Sequence, residues 1–251
     1  MNAYTILGDP RKVRRAVLVH SLAMDRQFWR PVAERLGGAV VLYDCTGHGE
    51  SAKPAGPFSV DGFADDLKRV MDHVGWDKAL IAGASMGGCV ALAFAARHAK
   101  RVSALGLVDT TAWYGPDAPR QWEERAQKAL GGGLQALVDF QVTRWFSDDF
   151  RSKHPQVVAQ CVATFLKNDV RAYAASCRML GAADLRPALP AIRVPTAVLV
   201  GEEDYATPVS MAEELHRGIA GSSLTVLKQA RHLTPLEKPA EVALQLAKLM
   251  G

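Results

Sequence analysis

The segment Gly83-Ala84-Ser85-Met86-Gly87 is a G-x-S-x-G, with an apolar run, Ala-Leu-Ile-Ala, directly before it and a small-residue apolar stretch after it. That context predicts a serine on a tight turn between a strand and a buried helix, its backbone strained and its hydroxyl exposed. Glycines two residues to either side suit such a turn, because a Cβ there would collide with the crowded backbone. The amides opening the helix would face developing negative charge. The glycine spacing does not fit the G-x-G-x-x-G of dinucleotide binding, and there is no phosphate-cradling loop ending in Gly-Lys-Ser/Thr.

A serine hydroxyl is a poor nucleophile until a base takes its proton and a carboxylate orients that base. In the fold that carries a G-x-S-x-G turn between strand and helix, the chain order is serine, acid, histidine. Asp204, in Gly201-Glu202-Glu203-Asp204, follows the apolar run Thr196–Val200, and His232 lies 28 residues further on, beyond the run Leu224–Leu227. His232 is the strongest histidine. His73, His98, His154 and His216 sit in helical or polar contexts, and His48, in Thr46-Gly47-His48-Gly49, reads as a structural loop residue. For the acid, Glu202 and Glu203 are neighbours of Asp204, and Asp109, after Ala-Leu-Gly-Leu-Val, is the main alternative. The oxyanion of an acyl-transfer intermediate needs two backbone N–H groups, expected from Met86 and from Leu22 in Val19-His20-Ser21-Leu22.

The elements that must hold these residues are legible as short apolar runs alternating with helical patterns. Strands are expected at Ala16–His20, Ala39–Tyr43, Ala79–Ala82, Ala104–Val108, Thr196–Val200 and Leu224–Leu227. Their continuous hydrophobicity indicates a mainly parallel sheet with helices on both faces. Ser59-Val-Asp61 opens a helix to about Val74 with Phe63, Leu67, Val70, Met71 and Val74 on one face. Further helices are expected at Gly87–His98, Ser210–Gly218 and Ala240–Met250. The rhythm fails between Thr111 and Leu189, where helical patterns rich in aromatic residues continue without a convincing strand. Residues 111–189 are therefore expected to form a helical insertion over the C-terminal edge of the sheet, with 1–110 and 190–251 forming the core domain. Gly131-Gly132-Gly133 would break two of its helices.

At 251 residues the chain has the length of one large domain or one domain with an insertion. Half of it is hydrophobic and 22% charged, which excludes intrinsic disorder. A net charge of +4 with no dense Lys/Arg cluster argues against a nucleic-acid partner. Cys45, Cys89, Cys161 and Cys177 form no C-x-x-C, so neither a zinc site nor a redox pair is expected, and they read as reduced and buried. No apolar run is long enough to span a membrane, and Met1–Leu7 lacks the pattern of a secretion signal, so the expected location is cytoplasmic. No metal or cofactor is expected, and nothing in the sequence sets an oligomeric state.

In order, the segments HSLAMDRQFW, YDCTGHGES, GASMGG, LVDTTAWY, VPTAVLVGEEDYATP and ARHLTPLEKP resemble the landmarks of the α/β-hydrolase family, from Arg15 onward. The resemblance implies a Ser85–Asp204–His232 triad beneath a helical lid inserted after the sixth strand. Within the family the chain is most similar to the 3-oxoadipate enol-lactonases, through HSL, Arg144-Trp145-Phe146, and His232-Leu-Thr-Pro-Leu-Glu-Lys-Pro. That likeness implies hydrolysis of an enol-lactone within aromatic compound catabolism. It departs from the subfamily at Thr46, where arginine is usual, at Ala23, where glycine is usual, and in the short stretch before the first central strand.

A substrate with a free carboxylate needs a cation in the lid pocket. Arg144, beside Trp145, is the candidate, with Arg125 and Arg178 behind it. A general carboxylesterase, a C–C bond hydrolase or a cofactor-free perhydrolase would use the same triad. The C–C hydrolases usually carry a glycine-rich oxyanion loop, absent from HSLAMD, and a nucleophilic-aspartate dehalogenase is excluded by serine at position 85. The reading from another class is a ligand receptor on an idle hydrolase fold.

Overall fold

The computed structural model describes residues 2–250. Before the insertion the chain runs β1 (Tyr4–Leu7), β2 (Arg15–Val19), α1 (Arg30–Leu36), β3 (Ala39–Tyr43), α2 (Val60–His73), β4 (Ala79–Ala84), α3 (Met86–Arg97) and β5 (Val102–Val108). Five helices follow: α4 (Ala118–Gly132), α5 (Val138–Trp145), α6 (Asp148–Lys153), α7 (Pro155–Leu166) and α8 (Val170–Ala182). The chain then returns through β6 (Thr196–Gly201), α9 (Val209–Gly218), β7 (Ser223–Leu227), α10 (Thr234–Glu237) and α11 (Pro239–Lys248).

The strands make one seven-stranded sheet in the order β1-β3-β2-β4-β5-β6-β7, parallel throughout except for β1, which runs antiparallel along β3. All six expected strands are present, shifted at their ends by up to two residues. Strands β3, β4 and β6 are buried along their whole length, as parallel strands covered on both faces must be. Between β2 and β5, which wind outward in opposite directions, β4 marks the switch point where α/β sheets place their ligands.

Local chemistry accounts for the covering helices. Ser59 caps α2 by accepting the Gly62 amide at 3.0 Å, and Val60, Phe63, Ala64, Leu67, Val70 and Met71 form its buried face. Helix α3 is buried from Met86 through Ala95, because Gly, Ala and Cys let it press onto the sheet. Helix α4 ends at Gly132, and Gly133 takes the left-handed conformation at φ 69° that turns the chain toward α5. The four cysteines are free and buried. Among the described residues no helix is long and apolar enough to cross a membrane, and no cluster of His, Cys, Asp and Glu could hold a metal ion.

One expectation needs correction. The insertion follows the fifth strand, not the sixth: the short stretch ahead of β2 provides one edge strand, β1, where a two-stranded hairpin would have raised the count. Strand β1 itself went unread because it is four residues long, half-buried and unlike the buried runs around it.

Candidate functional site

Ser85 sits between the last residue of β4 and the first of α3 at φ 53°, ψ −118°, a conformation that side chains rarely adopt. The surrounding backbone enforces it. Ser85 donates its amide to Val108 of β5 at 2.9 Å, while its carbonyl accepts the Thr110 hydroxyl at 2.7 Å. A Cβ on Gly83 would stand 1.9 Å from the Gly87 carbonyl oxygen, and one on Gly87 would stand 2.1 Å from that of Val19. Both glycines are thus demanded by contact, and the next one, Gly88, would meet the Thr110 side chain at 2.4 Å.

Asp204 and His232 arrive from the ends of β6 and β7. His232 Nε2 lies 3.0 Å from Ser85 Oγ, and His232 Nδ1 lies 2.8 Å from Asp204 Oδ2. Asp204 is fixed by its own loop: Oδ1 accepts the amides of Ala206 at 2.7 Å and Thr207 at 3.0 Å, and Oδ2 accepts the Thr207 hydroxyl at 2.9 Å. Burial opposes its charge, but the adjacent His232 and the bonds from His232 and Thr207 prevail, holding the carboxyl below its usual range. Thr207 was missed in the sequence; its signal is a hydroxyl three residues after the acid, where an Asp side chain commonly folds back on its own turn.

Asp109 does not contact the imidazole by any hydrogen bond. It accepts the Gly201 amide at 3.1 Å and the Thr234 amide and hydroxyl at 3.0 and 2.6 Å, thereby joining the loop that carries Asp204 to the one that carries His232. Burial, and then the nearby Asp204, push its carboxyl well above the usual range. Glu202 and Glu203 face outward toward Lys228 and Arg231.

The amides of Leu22 and Met86 have no acceptor among the described residues. The loop holding Leu22 is braced by His20, whose Nδ1 contacts the Ser21 carbonyl at 2.8 Å while its Nε2 accepts the Cys45 amide at 3.0 Å. Ala23 follows at φ 59°, a left-handed conformation where glycine would be unstrained. His48 is buried, with Nδ1 against the Thr46 carbonyl at 3.1 Å.

Helices α4 and α5 close the site from above. A tight cleft of about 20 Å³ is bounded by Leu22, Ser85, His232 and, from the insertion, Tyr114, Arg125, Gln141, Arg144 and Trp145. It adjoins a cavity of about 510 Å³ that shares Tyr114, Arg125 and Arg144 and extends to Tyr205 and Met211. Trp145 is buried and packs edge-on against Phe165. Arg144 stacks over Phe140, and Arg125 over Trp122, with its Nε donating to Tyr173 at 2.7 Å. Neither arginine has a carboxylate partner among the described residues. Burial and the neighbouring Arg125 pull the Arg144 guanidinium down to about 10. Arg178, by contrast, is paired with Glu123 at 2.7 Å and borders a different groove, so it is not part of this cleft. Tyr114 and Gln141 were not singled out from the sequence, although Gln141 sits three and four residues before Arg144 and Trp145 on the same helix face.

The chain is 32% identical over 200 residues to 3-oxoadipate enol-lactonase 2 of Acinetobacter baylyi, covering 80% of this chain and 74% of that one. Its structure superposes on the enol-lactonase from Burkholderia xenovorans LB400 with a TM-score of 0.95 and 34% identity, over 99% of this chain and 96% of that one. A thermophilic esterase from Thermogutta terrifontis, solved with malate bound, gives a TM-score of 0.92 and 29% identity over 100% and 94% of the two chains. Residues 17–239 match the family described by the alpha/beta hydrolase fold, and the chain belongs to that family.

Proposed function

We propose that the chain is a serine hydrolase that cleaves a lactone or carboxylic ester through an acyl-enzyme on Ser85. The observation that carries this reading is the unbroken line from Ser85 Oγ through the His232 ring to Asp204, at 3.0 and 2.8 Å. The chain is an ester-bond hydrolase; the triad gives that activity a mechanism. His232 Nε2 takes the serine proton as Oγ attacks the carbonyl carbon, and Asp204 stabilises the imidazolium that results. The amides of Leu22 and Met86 receive the oxyanion, an interaction of about 3–4 kcal/mol per donor in sites of this kind. His232 then returns the proton to the leaving oxygen. A water, deprotonated in turn by His232, releases the acid.

The substrate we infer is an enol-lactone bearing a carboxylate, such as 3-oxoadipate enol-lactone. Arg144 supports it: a half-buried guanidinium with no acidic partner, close to the nucleophile, favours an anion as its counter-charge. The similarity to enol-lactonases and to an esterase that holds the dicarboxylate malate points the same way. Trp145 forms the apolar wall beside it.

The test is the ultraviolet decay of 3-oxoadipate enol-lactone beside release from a neutral p-nitrophenyl ester, with Ser85→Ala as blank. A kcat/KM above about 10⁴ M⁻¹s⁻¹ on the lactone and well ahead of the ester is the expected result. Cleavage of the ester alone leaves the triad standing and removes the enol-lactone; no cleavage of either, with Ser85 unlabelled by a serine-directed phosphonate, returns the fold to a ligand receptor.

A further inference from the structure

Gln141 lies on α5, is 1% exposed, and borders the cleft that holds Ser85 and His232. Its Oε1 is buried with no hydrogen-bond partner. A buried carbonyl oxygen without a donor is destabilising, and proteins seldom keep one that a leucine could replace. Its place among Arg144, Trp145 and Ser85 points to a donor that comes with the bound reactant.

The acyl-enzyme mechanism above, on which this inference rests, generates such a donor. When Ser85 attacks a lactone, the Oγ–C bond forms and the ring C–O bond breaks. The serine proton passes through His232 Nε2 to the departing ring oxygen. In an open-chain ester that oxygen leaves as a separate alcohol. In a lactone it stays tethered, so the acyl-enzyme carries a new hydroxyl on its own chain, an enol hydroxyl where the substrate is an enol-lactone.

We propose that Gln141 Oε1 accepts a hydrogen bond from that hydroxyl, which makes Gln141 a specificity-determining residue for acyl chains that bear one. The bond has a second effect. A tethered hydroxyl competes with water for the acyl carbon, and its attack re-forms the lactone. Held by Gln141, it leaves the carbon to water and drives the reaction to the acid.

The experiment measures acid release from methyl 4-hydroxybutyrate, methyl butyrate and γ-butyrolactone by the wild type, Gln141→Leu and Gln141→Glu. Labelling of Ser85 by a phosphonate confirms that each variant keeps an intact site. The wild type is expected to prefer the hydroxylated ester over methyl butyrate by about tenfold in kcat/KM, the scale of one hydrogen bond between uncharged groups. Gln141→Leu brings that ratio near one and slows the lactone relative to methyl butyrate, whereas Gln141→Glu, which keeps an acceptor, preserves the preference. A wild-type ratio near one, or a ratio that Gln141→Leu leaves unchanged, overturns the inference. If the wild type releases acid from none of the three, the preference assigned to Gln141 is absent and this inference falls, while the acyl-enzyme reading is decided separately by phosphonate labelling of Ser85 and by turnover of the enol-lactone.

Discussion

The carbonyl oxygen of Trp145, the last residue of α5, accepts the backbone amide of His232 at 3.1 Å and that of Leu233 at 3.0 Å. The helix that carries Gln141 and Arg144 therefore also sets the height of the histidine loop. The joint is reinforced on both sides. Arg231 donates to the carbonyls of Thr143 at 2.8 Å and Phe146 at 3.1 Å, and Glu237 accepts the amide and hydroxyl of Ser147 at 2.8 and 2.7 Å.

Arg231→Ala removes the first brace without altering Ser85, Asp204 or His232. Its expected effect is a fall in kcat of about tenfold to a hundredfold, the penalty for a small misplacement of a reacting group. Steady-state kinetics on a neutral and a carboxylate-bearing ester check this, because a fault in alignment slows both alike.

Asp204→Asn and Asp109→Asn separate the two candidate acids. With Asp204 as the orienter, Asp204→Asn lowers kcat by about 10⁴, leaving the residual rate of the oxyanion donors. Asp109→Asn acts instead on stability, because an amide cannot accept all three bonds from Gly201 and Thr234; a loss of about 1–3 kcal/mol in denaturant unfolding is expected. The reverse pattern, with Asp109→Asn inactive and Asp204→Asn mild, would assign the acid to Asp109.

The lowered carboxyl of Asp204 also predicts a pH dependence of folding. A group whose folded pKa lies below its unfolded value, here 3.8, stabilises the protein above that value, and the contribution is lost as the pH falls through the folded pKa. The wild type should lose Tm below about pH 4 more steeply than Asp204→Asn, as thermal melts across pH 2–6 can show.

Arg144→Ala is expected to raise KM for a carboxylate-bearing ester by about tenfold or more while changing a neutral ester much less. Arg178→Ala serves as the control on the same insertion, since its partner is Glu123 rather than the cleft. Equal effects of Arg144→Ala on the two esters would make it a packing residue for Phe140.

Gly88→Ala tests the packing behind the nucleophile. Its Cβ would lie 2.4 Å from the Thr110 side chain, whose hydroxyl holds the Ser85 carbonyl, so the strand or the helix must yield. A loss of about 1–3 kcal/mol is expected, together with reduced phosphonate labelling of Ser85.

The parts of this protein that sequence makes legible are those in which one residue type has one workable place. Gly83 and Gly87 are fixed by contacts shorter than any side chain allows, Ser85 by the turn they form, and Asp204 and His232 by their places after two successive strand runs. The buried strands announce themselves because both their faces are covered. What sequence leaves obscure depends on packing between distant segments. Half-buried β1 has no pattern of its own and exists by pairing with β3. Gln141 looks like any polar residue of a helix until α5 is seen to turn it inward, and Arg144 and Arg178 look alike until one is found in the cleft and the other paired with Glu123 on α4 beside a different groove.

The insertion is fastened at a second point. The Asn168 side chain donates to the Ala23 carbonyl at 2.9 Å, apart from the Trp145–His232 joint. The insertion is thus tied both to the loop of Leu22 and Ala23 and to the loop of His232, so that lifting it as a flap would break contacts of both loops. The 510 Å³ chamber between α4 and α9, lined by Gln121, Lys128 and Tyr205, reaches the cleft without such a break, since the two share Tyr114, Arg125 and Arg144. Fastened at two points, the insertion is better described as a fixed roof with a side doorway than as a hinged flap.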